Sequence, residues 1–140
     1  MNVLIVGGGK VGATLATRLH AAQHQVKVIE ARREHLGPLK LDLPAEALVL
    51  GSGTDPGVLE AAGIRQAEVV AAVTGADEAN LVVISLARFE FGVARTIARV
   101  NNPKNAWLFT PEMGVDIALN QADLIARLIF EEVTTPSTGA

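Results

Sequence analysis

Short apolar runs alternate along the chain with longer stretches in which apolar residues recur at helical spacing. This alternation predicts βαβ units around a parallel sheet. The first run covers 3–6 (Val3-Leu4-Ile5-Val6). Glycines follow it, then a helix over about 11–22 with Val11, Leu15, Leu19 and Ala22 along one face. A second strand over 25–30 ends in charge. Leu36, Leu39 and Leu41 mark a short helix or loop before a third strand over 47–50. Thr54-Asp55-Pro56 is a helix start, with Asp55 as cap and Pro56 in the first turn, and that helix stops at Gly63. The fourth strand covers 68–74. Asp77, with Asn80 beside it, is expected to cap a long helix reaching about Phe91, closed by Gly92 at C′. A strand over 95–100, a short helix over 103–109, a strand over 115–119 and a last helix over 121–132 complete the series. Ile125, Leu128 and Ile129 share one face of that last helix.

Six strands with intervening helices predict a Rossmann-type, doubly wound parallel sheet of order 3-2-1-4-5-6 in a single α/β domain. Its ligand crevice is expected at the carboxyl ends of strands 1 and 4. The domain is expected over 1–132, with a small, polar tail or linker over 133–140.

Composition adjusts this picture in a few places. The 140 residues suffice for one core and leave no room for a separate catalytic domain. Apolar residues make up 49 % of the chain and aromatics 4 %, which fits strands covered on both faces and an apolar surface awaiting a partner. A net charge of −3 offers no electrostatic footprint for nucleic acid or an acidic membrane surface. The absence of cysteine excludes disulfides, thiolate zinc sites and cysteine nucleophiles. The chain runs straight into its first strand without the pattern of a signal peptide, and no apolar run approaches the roughly 20 residues of a membrane span. A cytoplasmic location is expected, with any membrane system served from outside the bilayer.

One motif carries chemistry. Gly7-Gly8-Gly9-Lys10-Val11-Gly12 fits G-x-G-x-x-G between a strand and a helix. Gly7 permits the tight turn, Gly9 lets a pyrophosphate approach the backbone, and Gly12 lets helix and strand close together. The free N–H groups and positive dipole of the helix start then hold the anion. The second strand ends in Glu30, 18 residues past Gly12, where a carboxylate accepts from ribose hydroxyls. Glu30 disfavours a 2′-phosphate, while Arg32 and Arg33 just beyond offset that repulsion, and Arg32 can lie over an adenine edge. Lys10 reads equally as a phosphate contact or a solvent-facing lysine.

Catalytic signals are missing by comparison. There is no tyrosine for a Tyr–Lys pair. His20, His24 and His35 are expected as exposed residues away from the crevice, and Trp107 and Met113 as packing residues. No carboxylate pair or Ser/His/Asp set stands out.

Four stretches resemble one family: Ile5 to Gly12; Gly51-Ser52-Gly53-Thr54-Asp55-Pro56 leading to Leu59 and Ala62-Gly63-Ile64; Ala72 to Leu81; and Thr96 to Pro103 followed by Gly114-Val115-Asp116. The chain is similar to the RCK N-terminal, or TrkA-N, domain of Trk/Ktr potassium uptake regulators and potassium channels. The resemblance implies binding of NAD(H) or ATP/ADP and a ligand-dependent change of oligomer geometry that gates a membrane-embedded transporter or channel. It implies a homodimer or larger ring, and a regulatory role instead of catalysis. Carried over, Gly7, Gly9, Lys10, Val11 and Gly12 meet the phosphates, and Glu30, with Ala31 and Arg32, meets the ribose side. Ser52, Gly53 and Thr54 flank the adenine, while Thr74 and Gly75 sit beside ribose and phosphates. Arg99 is either a further contact or half of an ion pair at the crevice or a subunit interface. The family usually has an aspartate where this chain has Ser52, and usually adds a smaller C-terminal domain. The alternative from another class is the NAD-binding domain of an oxidoreductase separated from its substrate domain. A Rossmann module without a ligand is a third reading.

Overall fold

The structure, a computed structural model, describes residues 1–137. Six strands form one sheet: β1 (Asn2–Val6), β2 (Gln25–Glu30), β3 (Leu48–Leu50), β4 (Val69–Ala72), β5 (Arg95–Val100) and β6 (Ile117–Asn120). Their order is β3-β2-β1-β4-β5-β6, and every pairing is parallel. This is the expected topology, with its reversal between β1 and β4.

The period-2 alternation sorts the strand residues onto two covered faces. Val3 and Ile5 lie in register with Val26, Val28, Val69 and Ala71. Over them lie α1 (Lys10–Ala21) and the short α2 (Leu36–Lys40), which contribute Ala16 and Leu39. Leu4, Val6, Ile29, Val70, Ala72 and Ala98 form the opposite face. It is covered by α3 (Pro56–Ala61) and α4 (Asp77–Ser85) through Leu59, Val83 and Ile84. Leu59 and Ile84 are fully buried, each contributing about 1.5–3 kcal/mol relative to exposure. Burial on both faces explains why β1 and β4 read as continuous apolar runs.

Local signals set most element ends. Asp55 accepts from the Gly57 N–H at 2.9 Å, and Pro56 occupies the first turn of α3 as expected. α4 continues into a wider π turn, Leu86–Glu90, and Gly92 at φ +64° closes it in the left-handed region. α1 departs from its predicted face. Gly12 and Ala16 are its buried residues, while Val11 and Ala22 are exposed. Small residues let the helix axis approach the sheet more closely than a leucine stripe would, so the larger Leu15 and Leu19 flank the contact. Trp107 is not a packing residue: it is 74 % exposed, on the short 3₁₀ turn Pro103–Leu108. Met113, 39 % exposed at the end of the turn Pro111–Met113, lies beside Leu81, Leu86 and Phe89.

The last helix, α5 (Gln121–Thr134), runs two residues beyond its expected end. Asn120 caps it, its Oδ1 accepting from the Asp123 N–H at 3.1 Å. Every residue of α5 is exposed, including Leu124, Ile125, Leu128, Ile129, Phe130 and Val133. Among the described residues, no helix is long and apolar enough to cross a membrane.

Candidate nucleotide crevice

Where the connections from β1 and β4 depart to opposite faces, the sheet leaves a crevice of about 460 Å³ at its carboxyl edge. Its floor is the glycine loop. Gly7 sits at φ +116°, a conformation L side chains avoid, and its N–H donates to Ile29 O at 2.9 Å. A Cβ on Gly12 would lie 1.7 Å from Gly7 O, so only glycine lets α1 start this close to the loop. Gly9 differs: it has an ordinary φ of −72°, and a Cβ there would meet nothing within 4 Å. Gly9 is also the N-cap of α1, with no side-chain cap and no acid in the first turn. The first N–H groups of α1 therefore carry an uncompensated positive end.

Glu30, at the end of β2, forms one end of the crevice and is 7 % exposed. Its Oε1 accepts from the Gly8 N–H at 3.4 Å and is 3.1 Å from His35 Nδ1. Its Oε2 is buried without a partner. His35 corrects an expectation: it lines the crevice and is not an exposed helix-end residue, because the 3₁₀ turn Arg33–His35 folds back over the end of β2. Ser52 and Thr54 form a self-contained turn on the next wall. The Ser52 and Thr54 hydroxyls are 2.7 Å apart, and the Thr54 N–H donates to Ser52 Oγ at 3.2 Å.

The opposite wall follows β4. The Thr74 N–H and hydroxyl both donate to Asn80 Oδ1, at 2.9 and 2.6 Å. Asn80, fully buried, donates back to Thr74 O and across to Arg99 O, both at 3.0 Å. Neither Asp77 nor Asn80 caps α4, whose N-cap is Ala76. Asp77, buried at the first helical position, reaches to the chain leaving β5. There it accepts from the Asn101 N–H at 2.6 Å, the Asn102 N–H at 2.9 Å and Asn105 Nδ2 at 2.9 Å. Those backbone donors would otherwise be orphaned past the strand end, which is why they win the carboxylate. Burial pushes the Asp77 carboxyl up, but the hydrogen bonds from Asn101, Asn105 and Asn102 outweigh it and hold the group below its ordinary value.

Arg99 projects from β5 into the same crevice, and its Nε is buried without a partner. Among the described residues it forms no ion pair, so the expected pairing is not made within the chain.

The structure thus gathers Gly7, Gly9, Glu30, Ala31, Arg32, Ser52, Gly53, Thr54, Thr74, Gly75 and Arg99 around one space. Lys10, Val11 and Gly12 do not line it: Lys10 and Val11 face solvent, and Gly12 is buried under the loop. Sequence reasoning missed His35, Ala76, Ala79 and Val83. The last three supply an apolar wall: Ala76 and Ala79 lie at the start of α4 within the family-like stretch Ala72 to Leu81, and Val83 sits one turn further along the helix. A larger hollow of about 680 Å³ lies at the opposite, amino edge of the sheet, lined in part by His20, His24 and Glu46. It has neither a glycine loop nor an unpartnered buried polar atom among the described residues. The crevice, by contrast, has an acceptor at one end, N–H donors at its floor and a guanidinium at the other wall. That arrangement suits a ligand with both hydroxyl donors and anionic groups.

The fold and crevice define a Rossmann-type domain whose ligand cradle lies at the topological switch point. The chain belongs to the TrkA-N domain family, whose model matches residues 3–121. It is 37 % identical over 134 residues to the Trk system potassium uptake protein TrkA of Mycobacterium tuberculosis, covering 96 % of this chain and 60 % of that one. It is 38 % identical over 139 residues to the TrkA homolog of Methanothermobacter thermautotrophicus, covering 99 % and 63 %. The chain therefore spans under two thirds of the length of these relatives. Among solved structures, the TrkA-N domain of the inner membrane protein ybaL from Escherichia coli superposes with a TM-score of 0.82 at 23 % identity, covering 94 % and 96 % of the two chains. GsuK bound to ADP gives 0.77 at 21 % identity over 95 % and 34 %, and the GsuK channel bound to NAD gives 0.76 at 22 % over 93 % and 22 %. These structural likenesses show the shared fold.

Proposed function

We propose that the crevice binds an adenine nucleotide, NAD(H) or ATP/ADP, and that the domain regulates a potassium transport system. The observation that carries this reading is that two residues lining one crevice beside the open start of α1, Glu30 and Arg99, each hold a buried polar atom without a partner, Oε2 and Nε. A buried acceptor or donor left unmade costs about 1–3 kcal/mol, which a ligand's hydroxyl and phosphate groups would offset. Gly7, Gly9 and the free backbone N–H groups at the start of α1 seat the phosphates, the side chains of Lys10 and Val11 pointing to solvent. Glu30, Ala31 and Arg32 receive the ribose side, Ser52, Gly53 and Thr54 flank the base, and Thr74, Gly75 and Arg99 close the far wall. The names of the relatives support a place in potassium uptake, and the ADP- and NAD-bound neighbours support the ligand class.

The domain acts by regulation, on the cytoplasmic side, at a membrane-embedded transporter or channel subunit. It works as a homodimer or larger ring whose geometry depends on the ligand bound. The exposed apolar face of α5 supports the assembly. Ligands that fit different arrangements unequally shift the balance between them by the difference in their affinities. Thermal melting with NAD⁺, NADH, ATP, ADP and AMP tests the ligand. At least one should raise the midpoint by mass action, and none doing so would sink the nucleotide reading. Sedimentation tests the assembly, which a monomer at high concentration with and without nucleotide would refute.

A further inference from the structure

Nucleotide binding through the glycine loop and Glu30 leaves His35 without a role. His35 sits on the turn after β2, half-buried, with its Nδ1 3.1 Å from Glu30 Oε1. An ionised carboxylate only accepts, so Nδ1 carries the proton of this contact. The Gly8 N–H converges on the same oxygen at 3.4 Å. One oxygen of Glu30 is therefore held from two directions, and the other, Oε2, has no partner although the residue is 93 % buried by its 7 % exposure.

We propose that His35 is a positioning residue that fixes the rotation of the Glu30 carboxylate, so that the crevice selects nucleotides carrying a free ribose diol. A glutamate has a broad terminal torsion and presents its two oxygens in many orientations when nothing holds them. With Oε1 tied to His35 and the glycine loop, only one rotation remains, and Oε2 is left as the acceptor with unfilled capacity. The carboxylate is buried, so water competes little for a hydrogen bond made to it. Arg32 and Arg33, adjacent in the chain, are exposed and form no ion pair with Glu30. Of the described side chains, His35 alone bonds this carboxylate.

The inference rests on the proposed nucleotide reading, and one experiment separates the two. Dissociation constants for ADP and 2′,3′-dideoxy-ADP are measured by calorimetry on the full chain as wild type, His35→Ala and His35→Asn. The melting point of each without ligand is also recorded. Asparagine places its amide where Nδ1 stands and so keeps the donor. Wild type should prefer ADP by about tenfold or more, the worth of a hydrogen bond to a charged group. His35→Ala should narrow that preference about three- to tenfold, leaving dideoxy-ADP binding nearly unchanged, and His35→Asn should restore it to within about twofold. Equal weakening of both ligands, or an unchanged preference, overturns the role of His35 while the nucleotide reading stands. Failure of wild type to bind ADP, dideoxy-ADP or any of NAD⁺, NADH, ATP and AMP overturns both.

Discussion

Replacing Gly9 with aspartate separates the ligand role of the glycine loop from its structural role. A Cβ on Gly9 meets nothing within 4 Å, and φ −72° with ψ −165° is extended backbone that aspartate adopts readily. The position is the N-cap of α1, which currently has no side-chain cap, and aspartate is among the preferred residues there. Without ligand, Gly9→Asp should leave stability unchanged or raise it by up to about 1 kcal/mol, some 4 °C in a domain of this size. With ligand the sign reverses. A carboxylate about 4 Å from a phosphate charge costs about 4 kcal/mol at the effective dielectric of a protein surface, close to a thousandfold in affinity. Wild type at a ligand concentration a hundred times its dissociation constant gains about 2.7 kcal/mol, or roughly 10 °C. The variant at the same concentration should gain almost nothing. Differential scanning fluorimetry with ADP and NAD⁺, checked by calorimetry, reads both effects. A full shift in the variant would remove the phosphate from the start of α1, and a ligand-free melting point several degrees lower would refute the open-space argument.

Two further substitutions probe the frame. Gly12→Ala drives a methyl into Gly7 O and should cost about 1–3 kcal/mol, seen as a fall of about 4–12 °C without ligand, the opposite of the Gly9 result. Asp77→Asn removes the charge that holds the chain leaving β5, and should cost about 1.5–3 kcal/mol at pH 7 in urea unfolding. Because the folded Asp77 carboxyl lies below its ordinary value, its contribution is present above the unfolded pKa of about 4 and is lost as pH falls through the folded one. The gap between wild type and Asp77→Asn should therefore narrow at about pH 3; an unchanged gap would mean that the charge is not what holds the loop.

The central strands β1 and β4 were legible because both their faces are buried, so each stands out as an apolar run. By contrast, β2 and β5 carry polar residues at outward positions, and β3 and β6 have no buried residue. Their order follows from the handedness of βαβ connections and the position of the glycine motif. The glycine loop and Glu30 were legible for a similar reason: their spacing is imposed by one strand–helix–strand unit. What escaped were residues brought in by turns. His35 reaches the crevice only because a 3₁₀ turn reverses over β2, and no periodicity marks that reversal. Asp77 looked like a cap because it precedes a helix, yet the donors it serves belong to Asn101, Asn102 and Asn105, more than twenty residues away. The buried face of α1 does not follow its hydrophobic spacing, because Gly12 and Ala16 make contact by being small. Lys10 and Val11 belong to the motif by sequence, yet their side chains face solvent, and Gly12 is the residue of the helix start that packs against the loop.

α5 has a mechanical consequence. Its 14 residues make a rod about 21 Å long, joined to the sheet through the Asn120 cap at the end of β6. A rod held at one end is a lever, and a turn of about 10° at Asn120 carries its far end by about 4 Å, close to the spacing between adjacent strands. β6 hydrogen-bonds to β5, the strand that carries Arg99, so the fulcrum stands one strand from the crevice wall. Anything seated on the apolar side of α5 is displaced by whatever small rotation that strand pair undergoes.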